Sequence, residues 1–343
     1  MKSNRIVNLV AAAVALTIAG ASPSLAQQSG GYYEGKTLRI LIGFGAGGGN
    51  DGWARAVAEN IVKYLPGKAT AIIQHMPGAG SARLGNYLFT AAPKDGTVIG
   101  LISRGLAFEP LLSGESAKIE PRELNWIGSP SRETAVCAVR ADAPAQSLAE
   151  LKTREVVFGA TGSGADTNIY PKFLANILGL KMKVVRGYQG SSEIFLAMER
   201  GEVQGICISS ETVLRHNAYK SGAFRILFQA GLAVDPGLPG VSNVLDTVTD
   251  AKDRAAVSLF LRRVEAGRPF VAPPGIAPER VAELRTAFEK AVADPAFKAE
   301  VEKSRLGDIV FMSGAKLAEL IAEAYRAPPD VIARTKAALA GDN

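Results

Sequence analysis

Three glycine-rich turns, each set between an apolar run and a helical pattern, hold the residues of this chain best suited to chemistry. That chemistry is anion binding by main-chain N–H groups. The first turn, Gly43 to Asp51, follows Leu38, Ile40, Leu41 and Ile42, a run too short to span a membrane and read as a strand buried in a parallel sheet. It precedes Ala54, Val57, Ala58, Ile61, Val62 and Leu65 at helical spacing. Gly45, Gly47, Gly48 and Gly49 permit a tight turn with exposed amides, and Asn50 or Asp51 is placed to cap the helix. Unsatisfied amides and the positive dipole end then converge on one point. The expectation is that the N–H groups of Gly47 and Gly48, rather than a basic side chain, hold an anionic group.

The same arrangement recurs twice. Met76 to Ser81 follows the apolar run Ala71 to Ile73, and Gly159 to Gly164 follows Val156 to Phe158, with Asp166 or Thr167 at the start of the next helix and Gly179 at its end. Asp166 is either a helix cap or a ligand contact; facing a cleft, its charge favours a ligand amine or hydroxyl over a second carboxylate. Ser103 stands at the carboxyl end of a strand over Val98 to Ile102, where ligands of open α/β sheets bind.

Rival chemistries fit less well. Gly43, Gly45 and Gly48 match the dinucleotide fingerprint, but the next strand ends without the ribose-binding acid and Asp51 would repel a pyrophosphate. A turn that merely packs a helix on a sheet remains the plain alternative. Ser163 has Thr161 and Ala165 where a nucleophile elbow needs glycines, and there is neither a paired-histidine zinc motif nor a P-loop lysine. His75 and His216 lack recognisable partners and read as structural or surface residues. With two histidines and two cysteines, a metal site is not expected. Cys137 and Cys207 sit in apolar runs and read as small buried hydrophobes, although export would permit a disulfide. Glu211 reads as a solvated loop residue; Trp53 either packs its helix or lines a cleft rim.

These turns must be held by a larger frame. Lys2 and Arg5, the apolar stretch from Ile6 to Gly20 and the small residues Ser24 and Ala26 form a cleavable secretory leader over 1–26. Its removal takes two positive charges and no acid from a formal net charge of +6. The remaining charges are interspersed, which argues against nucleic-acid binding and is compatible with a small anionic ligand. At about 150 residues per domain the mature chain makes two domains. A hydrophobic content of 47% with 36 glycines and 18 prolines describes an α/β protein with many tight turns. The strand and helix order gives lobe 1 as 36–134 with 233–343 and lobe 2 as 135–232, the topology of a hinged clamp. A helix is expected from Leu148, a strand over 268–273, and helices near 278–293, 295–304, 314–326 and 330–340.

Ile42 to Asp51 followed by Ala54 and Arg55 resembles the glycine-rich signature of the extracytoplasmic receptors of tripartite tricarboxylate transporters, the Bug family. Pro77 to Gly80, Pro93 to Gly96, Gly162 to Gly164, Tyr188 and Gly190, Leu196 to Val203 and Ala272 to Gly275 follow in the family's order, so the resemblance spans 36–330. It implies a two-lobed periplasmic-binding-protein fold of the Venus-flytrap, type II-like kind, with a ligand cleft between the lobes. It also implies a monomeric, non-catalytic periplasmic receptor without cofactor that presents a small organic carboxylate to a two-component membrane permease. The implied ligand contacts are Phe44, Ala46, Gly47, Gly48, Gly78, Ala79 and Ser103 in the first lobe. In the second they are Thr161, Ser163, Asp166, Thr167, Tyr188 and Gly190. Gln189 stands where a lysine is common, which weighs against a second, distal acid group on the ligand. A secreted α/β enzyme acting on a small anionic substrate is the alternative, and an interaction protein without a small ligand is the third class.

Overall fold

The computed structural model describes residues 30–341 apart from 113–116 and 133, so the expected leader lies outside the described residues. In chain order the first elements are β1 (Thr37–Ile42), α1 (Gly49–Ile61), β2 (Thr70–His75), α2 (Ala82–Thr90), β3 (Val98–Leu101), α3 (Glu109–Leu112) and β4 (Asn125–Ser129). Next come β5 (Ala135–Arg140), β6 (Val156–Ala160), α4 (Asp166–Leu178), β7 (Met182–Arg186), α5 (Ser191–Glu199), β8 (Gly205–Ser209), α6 (Ser210–Leu214), α7 (Asn217–Lys220) and β9 (Phe224–Ala230). The chain closes with α8 (Ala251–Leu261), β10 (Phe270–Ala272), α9 (Pro278–Ala293), α10 (Pro295–Lys303), β11 (Met312–Ser313), α11 (Gly314–Ala324) and α12 (Pro329–Ala340).

Two sheets result. The first has the order β11-β4-β10-β3-β1-β2, with β1 parallel to β2 and β3, and β10 antiparallel to β3 and β4. The second has the order β7-β6-β8-β5-β9, with β6 parallel to β7 and β8, and β5 antiparallel to β8 and β9. The apolar residues of β1 are buried because the strand lies inside its sheet and α1 covers it. Helix α1 is in turn covered by α9 and α10, so both of its faces are buried. Trp53 is therefore a core residue, wholly buried with its ring 6.2 Å from that of Phe297.

Several expectations need correction. Cys137 and Cys207 are buried, but the antiparallel register of β5 and β8 sets them opposite one another and a disulfide joins them. The helix expected from Leu148 is a single 3₁₀ turn, Glu150–Lys152, because the Leu151 carbonyl accepts from Lys181 N (2.7 Å) and cannot continue a helix. Helix α8 was not expected. Asp250 caps it by accepting from Asp253 N, and Phe260 stacks on Phe173 of α4 at 3.9 Å. Helix α12 packs on both α8 and α4, where Asn176 Nδ2 donates to the Ala338 carbonyl (2.7 Å), so the last helix returns to the helices beside the second sheet.

The disulfide closes a sequence separation of 70 residues. Replacing both cysteines by alanine is expected to cost about 2–4 kcal/mol in urea unfolding followed by circular dichroism. An unchanged midpoint would show that the bond contributes nothing to stability.

Candidate functional site

The glycine turns of the two lobes meet backbone to backbone. Gly45 N donates to the Gln189 carbonyl (2.9 Å). A Cβ on Gly80, whose φ is +64°, would stand 2.3 Å from Ala165 N, and one on Gly162 would stand 2.2 Å from Gly80 N. Neither position can carry a side chain at this separation, so the close approach of the lobes requires glycine at both. Ser81, also at positive φ (+82°), is held there by its hydroxyl, which accepts from Ser103 N (2.9 Å).

Behind this contact lies a cavity lined from both lobes, about 60 Å³ to the centres of water-sized spheres. That is room for about four or five waters or one compact organic molecule. Three helices begin on it. Helices α1, α4 and α5 have Gly48, Ala165 and Gly190 as N-caps, all three residues line the cavity, and no side chain caps any of them. Each helix start leaves main-chain N–H groups without intrahelical partners and carries the positive end of the helix dipole. Hydroxyls of Ser103, Thr161, Thr167, Ser191, Ser209 and Thr212 surround the space, with Phe44, Ile102 and Ile208 as apolar wall.

Two ion pairs cross between the lobes at the cavity wall. Arg104, from the loop after β3, donates through Nε to Asp166 Oδ2 at 2.6 Å. Arg268, just before β10, pairs with Glu211 of α6 and also donates from Nη1 to Asn50 Oδ1 (2.6 Å). Both arginines are almost fully buried, where an unpaired charge would be costly. Glu211 is thus a buried partner rather than a solvated loop residue; its carboxylate also accepts from Thr212 N and Thr212 Oγ1. Gly49 stands against this pair: a Cβ there would lie 2.6 to 2.8 Å from Thr212 Oγ1, Arg268 Nη2 and Glu211 Oε1.

Asp51 organises the first turn from below. Its Oδ2 accepts from Gly47 N (2.9 Å) and Arg55 Nε (3.1 Å), and its Oδ1 lies 2.8 Å from His75 Nε2. Burial raises its pKa, but these hydrogen bonds outweigh that and hold the carboxyl below its ordinary value. A depressed pKa means that this contribution to stability is present at neutral pH and lost as pH falls through the folded-state value. The expectation for the Gly47 amide is therefore corrected, since it already donates to Asp51.

Of the residues singled out from sequence, Phe44, Gly48, Ser103, Thr161, Asp166, Thr167 and Gly190 line the cavity. Ala46, Gly47, Gly78, Ala79, Ser163 and Tyr188 do not. Ala79 belongs to the contact between lobes beside Gly162, the Ser163 carbonyl accepts from Asn168 Nδ2, and Tyr188 packs against β6 near Gly159. Asp166 and Thr167 are not N-caps: Asp166 pairs with Arg104, and Thr167 Oγ1 accepts from Thr161 N (3.0 Å). His75 and His216 are structural, His216 stacking on Phe195 at 4.3 Å and capping α7. Arg104 and Arg268 were missed. Arg104 follows Ser103 at a strand's carboxyl end, a position that could have flagged it; Arg268 has no local signal, because its partners lie 57 and 218 positions away.

The family model of the tripartite tricarboxylate transporter family receptor, TctC, matches residues 53–336. A relative from Cupriavidus necator, named a UPF0065 protein in the gbd 5′ region, is 24% identical over 330 residues covering 94% of each chain. Among solved structures, the periplasmic binding protein BugD is 20% identical, with a TM-score of 0.69 over 88% of this chain and 97% of its own. MatC from Rhodopseudomonas palustris, solved with bound malate, is 18% identical, with a TM-score of 0.68 over 88% of this chain and 98% of its own. The fold is that of two-lobed periplasmic binding proteins. Matched over most of its length, the chain belongs to the tripartite tricarboxylate transporter receptor family.

Proposed function

We propose that this protein is a periplasmic solute receptor, exported by its leader and acting as a monomer, that captures a small organic carboxylate between its lobes and delivers it to a two-component membrane permease. The observation that carries this reading is the convergence of three helix starts without side-chain caps on one cavity lined from both lobes. Several partly buried amides and dipole ends together suit a carboxylate without an unpaired basic side chain. The amides proposed to hold it are those at Gly48 and Gly49, at Asp166 and Thr167, and at Ser191, with the hydroxyls of Ser103 and Thr161 beside them. Support for capture rather than turnover comes from the titratable residues lining the cavity, Arg104, Asp166 and Arg268, each already in an ion pair. The malate bound to MatC is consistent with a carboxylate ligand on this fold.

Thermal unfolding of the mature protein against mono-, di- and tricarboxylates tests the reading, with a turnover assay on any hit. A ligand at one hundred times its Kd is expected to add about 2.7 kcal/mol to the folded state, and to be recovered unchanged. No shift with any carboxylate would contradict capture, and conversion of the hit would replace a receptor with an enzyme. Gly49→Val, which crowds the Arg268 and Glu211 pair, is expected to weaken the hit about tenfold or more, in line with the ~1–3 kcal/mol cost of overpacking. Unaltered affinity would move the ligand away from the start of α1.

A further inference from the structure

We propose that the cleft selects small hydroxy-monocarboxylates, a single carboxylate with a neutral hydrogen-bond donor beside it, over dicarboxylates and amino acids. This rests on the carboxylate-capture reading above and adds to it the class of ligand. The cations lining the cavity are Arg104 and Arg268, and neither is free for a ligand's acid group: Asp166 holds one and Glu211 holds the other, each reaching across from the opposite lobe. The four side chains cancel in charge. What remains is the positive end of α1, α4 and α5, each worth roughly half an elementary charge, which suits one carboxylate and leaves little for a second.

A second carboxylate would share the cavity with the Asp166 carboxylate and find both arginines already paired with acids, and like charges brought together in a partly buried site are unfavourable. An ammonium would instead meet the Arg104 guanidinium and the same helix ends. A hydroxyl meets neither obstacle. The Asp166 carboxylate lines the cavity with its side chain 14% exposed and takes one hydrogen bond from the protein, from Arg104 Nε, on Oδ2. Its Oδ1 is buried and takes none. With Oδ1 closed off, the exposed part of the side chain lies on its other atoms, and Oδ2, which holds one hydrogen bond, has room to accept a second from a neutral donor on the ligand.

The test is calorimetric titration of the mature protein with two matched quartets: propionate, lactate, alanine and malonate; then butyrate, 2-hydroxybutyrate, 2-aminobutyrate and succinate. The hydroxy acid is expected to bind about tenfold or more tighter than the other members in at least one quartet. In Asp166→Asn, with folding checked by circular dichroism, Arg104 loses its counter-charge. The dicarboxylate is then expected to gain about tenfold while the hydroxy acid weakens. A dicarboxylate, amino acid or unsubstituted acid binding as tightly as the hydroxy acid overturns the selectivity and leaves carboxylate capture standing. So does binding by the wider carboxylate panel with no response from either quartet. Silence from the quartets and the wider panel alike removes the capture reading, and the selectivity with it. Should Asp166→Asn not fold, the wild-type quartets decide by themselves.

Discussion

Main-chain N–H groups at the start of a helix need partners, and the structure around the cleft follows from where three such starts are left open. Helices α1, α4 and α5 have Gly48, Ala165 and Gly190 as N-caps, residues with no side chain able to accept those donors. In an isolated lobe water would satisfy them. Brought together across the cleft, they confront a cavity of limited size whose walls otherwise carry hydroxyls, a few apolar groups and the paired side chains of Arg104, Asp166 and Arg268. Only backbone can come this close to backbone, so Gly80 and Gly162 at the contact are a condition of the lobes meeting as they do, while Gly45 joins the contact through its N–H to the Gln189 carbonyl.

The ion pairs across the cleft solve a second problem created by closure. Arginines at 104 and 268 would be stranded in a low-dielectric wall without Asp166 and Glu211, and each acid comes from the other lobe. The pairs therefore couple burial of charge to the approach of the lobes, and they leave the cavity electrostatically neutral except for its helix ends. In the proposed receptor this neutrality has a use. The ligand's charge is read by fixed amides, while Asp166 reads what lies beside the carboxylate.

Much of the frame was legible because it depends on local patterns. The buried strand at 38–42, the turn and helix after it, the strand beginning at 156, which runs on to Ala160 rather than ending at Phe158, and the helix that Gly179 ends follow from periodicity and glycine placement. What escaped depends on distance in the chain. The disulfide needs the register of β5 on β8, and the burial of Glu211 needs Arg268 from the other lobe. Occupation of the Gly47 amide turns on a side chain only four residues away, yet the same Asp51 looked like a cap for its own helix. Helix α8, with its charges mixed among apolar residues, shows its buried face only once α4 and α12 are beside it.

The central claim is that main-chain amides at the helix starts hold the ligand's carboxylate, and the most direct measurement is NMR of the mature protein with glycine and serine labelled by nitrogen-15, titrated with the tightest-binding acid. The account predicts that the amides of Gly48, Gly49 and Ser191 move downfield as the site fills, while glycines far from the cleft, such as Gly179 and Gly222, stay in place. Saturable binding that leaves the Gly48, Gly49 and Ser191 amides unmoved would contradict it.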